Sequence, residues 1–431
     1  MRKIFTLQSL LKTATIASAL LFTLATGPMS HAQEPTTLTL ALHWEPSFQP
    51  TQEAFDAAFM ERHPEIKIEV IYNTWADHNA IVPTWAAAGE LPDIVYTHGS
   101  RATPWAAGEI CANLDSYIET DEDFNVEGIF PVALEQYQYE GNQYALPYDH
   151  GVILLGYNKD AFDTAGMAYP DETWTMDNFR EAAVALTIPG QQWGFGGYYN
   201  GIPLAGEGAV SFLGPWGGAS FNETEDALLF DSEGSRTALN FWYGLMAEGV
   251  IPNQEDVGSM GGGQIMYTGQ DAMWAMASWE TPAFADLAAF AWDVAPWPEG
   301  PEGRVTGAFG SGFCITSQSK NPDAAWLYLS EYLSEEGMIA MWGETGRGSP
   351  AREAAYQSWI DSELSPDNAE FYLEALAEYA VNGRPYASVT GPEIIDVINQ
   401  NQTLLNTGEI TVEQFITNVK EQTDPIFARE N

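Results

Sequence analysis

Apolar and polar positions alternate with two different periods along the early part of the chain. Residues 38–42, 66–72 and 93–96 form short apolar or alternating runs, so the pattern predicts three strands. Residues 51–62 and 78–88 carry apolar side chains at helical spacing. The order strand, helix, strand, helix, strand predicts a parallel sheet with helices on its faces.

The carboxyl ends of these strands indicate where a ligand binds. In parallel sheets flanked by helices, ligands lie beyond the carboxyl ends of the strands. His43, Trp44 and Glu45 follow the first strand. Trp75 follows the second strand and His98 follows the third. We therefore expect these side chains on one rim of the first domain.

The middle of the chain, residues 157–295, has a different pattern of residues. Helical patterns at 175–186 and 235–248 alternate with glycine-rich loops that carry tryptophan, which predicts a second α/β domain. A chain of 431 residues also exceeds what one hydrophobic core normally supports. No run of Pro, Ser or Gly is long enough to be a flexible linker, so we expect short crossings of the chain between the domains.

The first 32 residues have the features of a secretory signal peptide. Three basic side chains precede an apolar run at 14–24, and small residues lead up to Ala32. The apolar run is too short to remain in the membrane as a spanning helix. We therefore expect export to the periplasm with cleavage near Ala32. Because no cysteine lies at the cleavage point, we expect a free protein rather than a lipid-anchored one.

Acidic side chains dominate the composition. The chain carries 60 Asp and Glu against 16 Lys and Arg, a net charge of -44, and the predicted signal peptide contains none of the acids. Such a surface repels phosphate backbones and anionic headgroups, which excludes nucleic acid and membrane surfaces as partners. Hydrophobic residues make up 45% of the chain, which excludes a disordered protein. A folded acidic protein is typical of a saline habitat, where salt screens the self-repulsion.

The two cysteines, Cys111 and Cys314, leave two interpretations open. In the oxidising compartment that export predicts, they can pair and close a long loop. Two buried free thiols would look the same in the sequence. The spacing alone does not decide between them.

Short segments with a recognisable order span nearly the whole chain after the signal peptide. They are AAGELPDIV (87–95), QYALPYD (143–149), LGYNKDAF (155–162), TWTMDNF (173–179), GQDAM (269–273) and SKNPDAAW (319–326). Each segment is weakly specific alone. In this order, behind a signal sequence, they resemble the extracellular solute-binding proteins of carbohydrate-uptake ABC transporters.

The resemblance implies a two-lobed periplasmic-binding-protein fold of the α/β class, in which each lobe is a sheet flanked by helices. It implies hinge crossings between the lobes near 149–152, near 307–312 and after Pro350. The implied parts are an N-terminal lobe of 33–150 with 310–350 and a C-terminal lobe of 151–309 with 351–431. Asp149, Gly310 and Ser311 would then lie at the base of the cleft, where glycine permits a close approach of backbone to ligand.

The chemistry of a sugar decides which other residues are candidates. A sugar presents hydroxyls at its edges and an apolar face of C–H groups, so its site needs polar partners and flat aromatic rings. Most of the 15 tryptophans are expected in the core. Those in loops near strand ends or among glycines are Trp44, Trp75, Trp216 and Trp279. Carboxylates that can accept hydroxyl hydrogen bonds are Glu45, Asp149 and Glu280.

The basic and titratable candidates allow two interpretations each. Arg347 lies between two glycines near the third crossing, where it can bind hydroxyls or a carboxylate of the ligand, or form a weak surface ion pair. His43, His98 and His150 map to the cleft. They lack the short spacing of a zinc site, which favours contact with sugar hydroxyls. His78 is expected at a solvated helix edge.

These features favour a binding protein over an enzyme. The expected function is a monomeric periplasmic protein that captures a sugar or oligosaccharide and delivers it to the membrane permease of an ABC transporter, with no catalytic residue, cofactor or metal. A glycerol-phosphate or other polyol-phosphate binding protein is the main alternative; it ranks lower because Arg347 is the one obvious cation of the cleft. A secreted glycoside hydrolase is the enzymatic alternative. The chain has no G-x-S-x-G and no H-E-x-x-H motif.

Overall fold

The structure, a computed structural model, describes the chain from residue 35 onward with short gaps. The described ranges are 35–43, 48–198, 201–206, 208–222, 226–257, 265–343, 345–383 and 390–429. The predicted signal peptide and the candidates Trp44 and Glu45 lie outside the described residues. Within these ranges, no helix combines the length and the apolar composition that a bilayer crossing requires.

Helices and strands alternate along most of the described chain. The strands are β1 (Thr36–His43), β2 (Ile66–Asn73), β3 (Ile94–His98), β4 (Gln138–Tyr139), β5 (Asn142–Gln143), β6 (Leu146–Pro147), β7 (Gly151–Asn158), β8 (Met273–Ala277), β9 (Trp292–Ala295), β10 (Thr306–Phe309), β11 (Ser311–Ile315) and β12 (Ala380–Asn382). The helices are α1 (Gln49–Arg62), α2 (Trp75–Ala88), α3 (Gly99–Ala107), α4 (Asp115–Thr120), α5 (Pro131–Glu135), α6 (Lys159–Ala165), α7 (Met176–Leu186), α8 (Ala209–Leu213), α9 (Glu233–Ala247), α10 (Gln254–Val257), α11 (Thr281–Leu287), α12 (Pro322–Tyr332), α13 (Glu335–Met338), α14 (Glu353–Ile360), α15 (Glu370–Glu378), α16 (Gly391–Asn406) and α17 (Val412–Phe427).

The sheet of the first lobe has the order β2-β1-β3-β11-β6. β1 runs parallel to β2 and to β3, with Leu40 opposite Ile94, which confirms the parallel sheet predicted from the early pattern. β11 comes from far later in the chain and pairs antiparallel with β3, so that Ser311 lies opposite His98. The carboxyl ends of β1 and β3 therefore meet the start of β11 at one edge.

Helix α2 begins earlier than the sequence pattern predicts. It starts at Trp75 because Thr74 caps it: the Thr74 Oγ1 accepts the N–H of Asp77 at 3.2 Å. The helix ends at Gly89, whose φ of 74° is the left-handed conformation that suits glycine. The cap makes Trp75 the first helical residue and holds its side chain at the carboxyl edge of the sheet.

The sheet of the second lobe is built around β7. Its order is β12-β10-β7-β8, and β9 also pairs with β7. All eight residues of β7 are buried. Gly156 in this strand lies against the indole of Trp274, which a Cβ would approach to 2.5 Å. The predicted second α/β domain is thus present, with β7 as its central strand.

Each sheet packs against its own helices, so the chain has separate cores. In the first lobe, Phe59 of α1 packs edge to face on Tyr328 of α12, and both are fully buried. In the second lobe, Trp242 of α9 is fully buried and its indole N–H donates to the carbonyl of Phe212 at 2.8 Å. Separate cores joined at few points confirm the two-lobed α/β fold class.

The chain passes between the lobes at the positions where strands of different sheets follow each other. β6 and β7 belong to different sheets and are joined by residues 148–150. β10 and β11 also belong to different sheets and are joined by Gly310 alone. A third segment, 345–352, lies beside the first, with Pro350 bridged to Asp149. The lobe boundaries inferred from the sequence stay a prediction.

A disulfide joins Cys111 to Cys314 within the first lobe, with their Cα atoms 5.5 Å apart. Cys314 lies in β11, and Cys111 follows α3 and forms an isolated bridge with Thr316. The bond therefore links β11, which comes late in the sequence, to the segment after α3, which comes early. Of the two interpretations left open by the sequence, the structure contains the paired form.

Candidate functional site

A cavity of about 580 Å³ lies between the lobes, at the edge where β1, β3 and β11 meet. Its volume falls within the range of about 300 to 1,000 Å³ typical of small-molecule sites. The residues that line it are His43, Phe48, Trp75, Tyr96, His98, Asp149, Tyr198, Trp279, Glu280, Pro282, Ala283, Phe309, Gly310, Ser311, Thr345 and Arg347. The site thus draws on both lobes and on all the crossing segments.

The first-lobe wall carries an exposed tryptophan between two histidines. Trp75 is 40% exposed, and its ring packs edge to face on His98 and His43, with centroid separations of 4.9 and 5.8 Å. The Nδ1 of His98 accepts the N–H of Ser100 at 3.2 Å, so the neutral ring carries its proton on Nε2. This wall therefore offers a flat aromatic face beside an imidazole that can donate.

The base of the cavity is polar and tightly held. The N–H of Ser311 donates to the Oδ1 of Asp149 at 2.6 Å, and the hydroxyls of Ser311 and Tyr96 are hydrogen-bonded at 2.9 Å. Asp149 is 8% exposed and Ser311 is 9% exposed. A Cβ at Gly310 would overlap the backbone oxygen of Asp149, so this close approach of two crossings requires glycine.

Arg347 is a buried cation beside this base. Its guanidinium carbon lies 4.4 Å from the ring centroid of Phe48 and 5.3 Å from those of Tyr148 and Trp342. Its Nη2 lies 3.8 Å from the Oδ2 of Asp149. Aromatic faces stabilise a cation that has lost water, and the carboxylate balances its charge. The weak surface ion pair considered from the sequence does not fit, because Arg347 is only 7% exposed.

The second-lobe wall is mostly apolar. The ring of Trp279 packs against Phe309 at a centroid separation of 5.0 Å, and a Cβ at Gly151 would lie 2.9 Å from the indole. Glu280 is the charged group of this wall, and its Oε2 accepts the hydroxyl of Tyr267 at 2.5 Å. Burial and the nearby Glu280 carboxylate raise the pKa of the Tyr267 hydroxyl, so it stays a donor.

His150 lies in the first crossing but does not line the cavity. Its ring is fully buried, and burial together with the nearby His98 lowers its pKa to about 3, so it is neutral. His78 is also fully buried rather than solvated, because its Nε2 bonds to the carbonyl of Tyr96 at 2.8 Å. Within the described ranges, no three His, Cys, Asp or Glu side chains converge closely enough to hold a metal ion.

The structure brings most of the described sequence candidates together in this cavity. They are His43, Trp75, His98, Asp149, Trp279, Glu280, Gly310, Ser311 and Arg347. Trp216 is a correction: it is 8% exposed and packs on Phe241 and Trp242 in the second-lobe core. Its neighbouring glycines suggested an open loop, but they allow the chain to turn tightly against helix α9.

Several lining residues were missed by the sequence reasoning. Tyr96 lies within β3, where an aromatic residue looks like an ordinary core position. Phe309 directly precedes Gly310, so its place beside a crossing was a signal that could have been used. Tyr198 lies in the glycine-rich stretch that the sequence marked only as a loop. Phe48 precedes α1, lines the cavity and packs against the guanidinium of Arg347.

Comparison with known proteins assigns the class to which this fold and cleft belong. The family model described as bacterial extracellular solute-binding protein matches residues 44–339, which is more than half of the chain. The chain belongs to this family. The family consists of binding proteins, as the sequence resemblance predicted, and its members act outside the cytoplasm.

Individual relatives agree with this assignment. An ABC substrate-binding protein of Listeria monocytogenes, solved in complex with cycloalternan, is 25% identical, with a TM-score of 0.82 over 92% of this chain and 100% of that chain. An arabinooligosaccharide-binding protein of Halalkalibacterium halodurans is 24% identical over 72% of this chain and 70% of its own length. An uncharacterized lipoprotein of Streptomyces antibioticus is 25% identical over 41% of this chain, and the match spans 40% of that relative.

Proposed function

We propose that this chain is the substrate-binding component of an ABC importer, which captures a neutral sugar or oligosaccharide in the interlobe cleft and delivers it to a membrane permease. The observation that carries the proposal is the division of the cavity into aromatic walls and a buried polar base. Trp75 of the first lobe and Trp279 and Phe309 of the second lobe line the cavity, and Asp149 and Ser311 form its base. This arrangement suits a molecule with apolar faces and hydroxyl edges.

The proposed contacts follow from this division. Trp75 and Trp279 offer ring faces to the C–H surfaces of a sugar. Asp149 and Glu280 accept hydroxyl hydrogen bonds, which are stronger when the acceptor is charged. The Nε2 of His98 donates to a ring or hydroxyl oxygen. Of the relatives named above, one was solved with cycloalternan and another is described as binding arabinooligosaccharides, which supports including oligosaccharides beside single sugars in the test.

A panel of ligands tests the proposal by thermal melts and calorimetric titration. The panel comprises arabinotriose, maltotriose, mannotriose, cycloalternan, glucose, mannitol and glycerol 3-phosphate. A ligand present at 100 times its Kd stabilises the protein by about 2.7 kcal/mol, which a melt resolves easily. We expect stabilisation by at least one neutral saccharide. Stabilisation by glycerol 3-phosphate alone, or by no member of the panel, would overturn the proposal.

The presence of Arg347 in the cleft supports a polyol phosphate as the second candidate ligand. A guanidinium is a good partner for phosphate because it can donate two parallel hydrogen bonds. In this cleft, however, the guanidinium lies against three aromatic rings and near the Asp149 carboxylate. That carboxylate repels a second anion, so the neutral ligand ranks first.

The hydrolase alternative has its own test. The panel saccharides are incubated with the protein and the products are separated by chromatography; cleavage at enzymic rates would support a hydrolase.

We further propose that the mature protein is a periplasmic monomer cut near Ala32, with lobes of 33–150 plus 310–350 and 151–309 plus 351–431. The Cys111–Cys314 bond supports an oxidising compartment. Mass spectrometry of the exported protein should show Gln33 at the amino terminus, and light scattering should give the mass of one chain. An intact leader, or the mass of a dimer, would contradict the corresponding part.

A further inference from the structure

Asp149 contacts every crossing segment described between the lobes. It lies within the first crossing, 148–150. Its Oδ1 accepts the N–H of Ser311, next to the second crossing, at 2.6 Å. Its backbone forms a bridge with Pro350, and its Oδ2 lies 3.8 Å from the Nη2 of Arg347, both in the third segment. One side chain therefore joins the segments about which the lobes can move.

The same carboxylate forms part of the cavity wall. A carboxylate has about four acceptor positions on its two oxygens, so a ligand hydroxyl can donate to it without displacing the Ser311 N–H. The backbone around it has little freedom, because Gly310 packs directly on the Asp149 carbonyl. Because the carboxylate itself accepts the Ser311 N–H, a change in its position is passed to the backbone next to the second crossing.

We propose that Asp149 is a positioning residue that couples ligand occupancy to the angle between the lobes, an inference that rests on the proposed sugar-binding function. A ligand shifts a conformational equilibrium only by making different contacts in the two states. A hydroxyl bound to Asp149 is held at the pivot, where the carboxylate already contacts the second crossing and the third segment and where Arg347 also packs on Tyr148 of the first crossing. Once the crossing segments are held in this way, contacts between the ligand and the two walls favour the closed arrangement of the lobes.

The test compares Asp149→Ala with Asp115→Ala. Asp115 is a matched control, because its Oδ1 accepts the backbone N–H of Gln143 at 2.9 Å but lies away from the crossings and the cavity. The probes are arabinotriose, maltotriose, mannotriose and cycloalternan. Small-angle scattering should show that saturating probe contracts the wild type and Asp115→Ala. Asp149→Ala should bind about tenfold more weakly, a loss of about 1.4 kcal/mol, and should keep its unliganded radius of gyration when saturated.

Contraction of saturated Asp149→Ala to the wild-type radius would overturn the coupling, even if its affinity were reduced, because Asp149 would then be a ligand contact only. Hydrogen exchange in the unliganded proteins gives a second readout. The Ser311 amide should exchange several-fold faster in Asp149→Ala than in Asp115→Ala, and equal rates would overturn the proposal. If no probe binds the wild type, the proposed function is wrong, and the comparison of Ser311 hydrogen exchange is then the only test of the role of Asp149. Asp149→Leu, which likewise has no acceptor for the Ser311 N–H, replaces Asp149→Ala if the latter does not fold, with the same expected directions.

Discussion

Reduction of the Cys111–Cys314 bond is expected to destabilise the first lobe strongly. The bond joins residues that are 203 positions apart. In the chain-entropy account, a cross-link over such a loop restricts the unfolded chain by about 5 kcal/mol, and losses on removing native disulfides are about 2 to 5 kcal/mol. For a unit of about 160 residues, each kcal/mol changes Tm by about 2 to 4 °C. We therefore expect the oxidised protein to melt about 10 °C above the reduced protein.

The assay is calorimetry of the wild type with and without a phosphine reductant, with thiol titration to establish that the bond has opened. The control is the double variant Cys111→Ala with Cys314→Ala. Both side chains are buried, so the variant loses some packing, but its Tm should not respond to the reductant. Equal Tm values, within about 1 °C, for oxidised and fully reduced wild type would refute the reasoning from loop length.

Four further predictions concern the site, the core and the charge. Trp75→Ala should weaken binding of the best panel saccharide about tenfold with little change in Tm, because Trp75 is half exposed and offers a ring face. Trp216→Ala should do the reverse: a loss of about 3 to 5 kcal/mol in unfolding free energy with unchanged affinity; weaker binding without lost stability would place Trp216 at the ligand after all. Tm should rise between low salt and about 1 M salt, because screening relieves repulsion among carboxylates, and a flat or falling Tm would contradict the saline-habitat interpretation. Burial raises the pKa of Asp271 to about 8, so the folded protein holds a proton that the unfolded chain releases above its ordinary pKa, and stability should fall as pH rises from about 4 to 8; Asp271→Asn should flatten this dependence, and an unchanged slope would contradict it.

Local periodicity predicted the early part of the first lobe well. The strands at 36–43, 66–73 and 94–98 and the helices between them match the sequence pattern, because each strand is apolar or alternates over its own length and each helix has apolar side chains at helical spacing. The rim residues His43, Trp75 and His98 followed from the same pattern, since their place depends only on where a strand ends. These parts of the cavity needed no knowledge of distant contacts.

The rest of the site depends on contacts between distant segments. Trp216 was placed wrongly because glycine neighbours suggested an open loop, while the decisive contacts come from Phe241 and Trp242. His78 was placed wrongly because its burial depends on the carbonyl of Tyr96 in the neighbouring strand. The stacking of Arg347 on Phe48 joins segments that no local period relates. Such features are set by tertiary packing and leave no signal in a short window.

The position of β11 in the first sheet has a consequence for how the protein is made. β11 lies between β3 and β6, so the sheet of the first lobe cannot be completed until residue 315 has been synthesised. An amino-terminal fragment that stops before this point leaves the edges of β3 and β6 without a neighbour, and unpaired edges of this kind favour aggregation. Through most of synthesis the nascent chain therefore has an unfinished amino-terminal half. For a chain that crosses a membrane in the unfolded state, this delay is an advantage. Its earliest segments cannot form a stable domain before β11 has been synthesised.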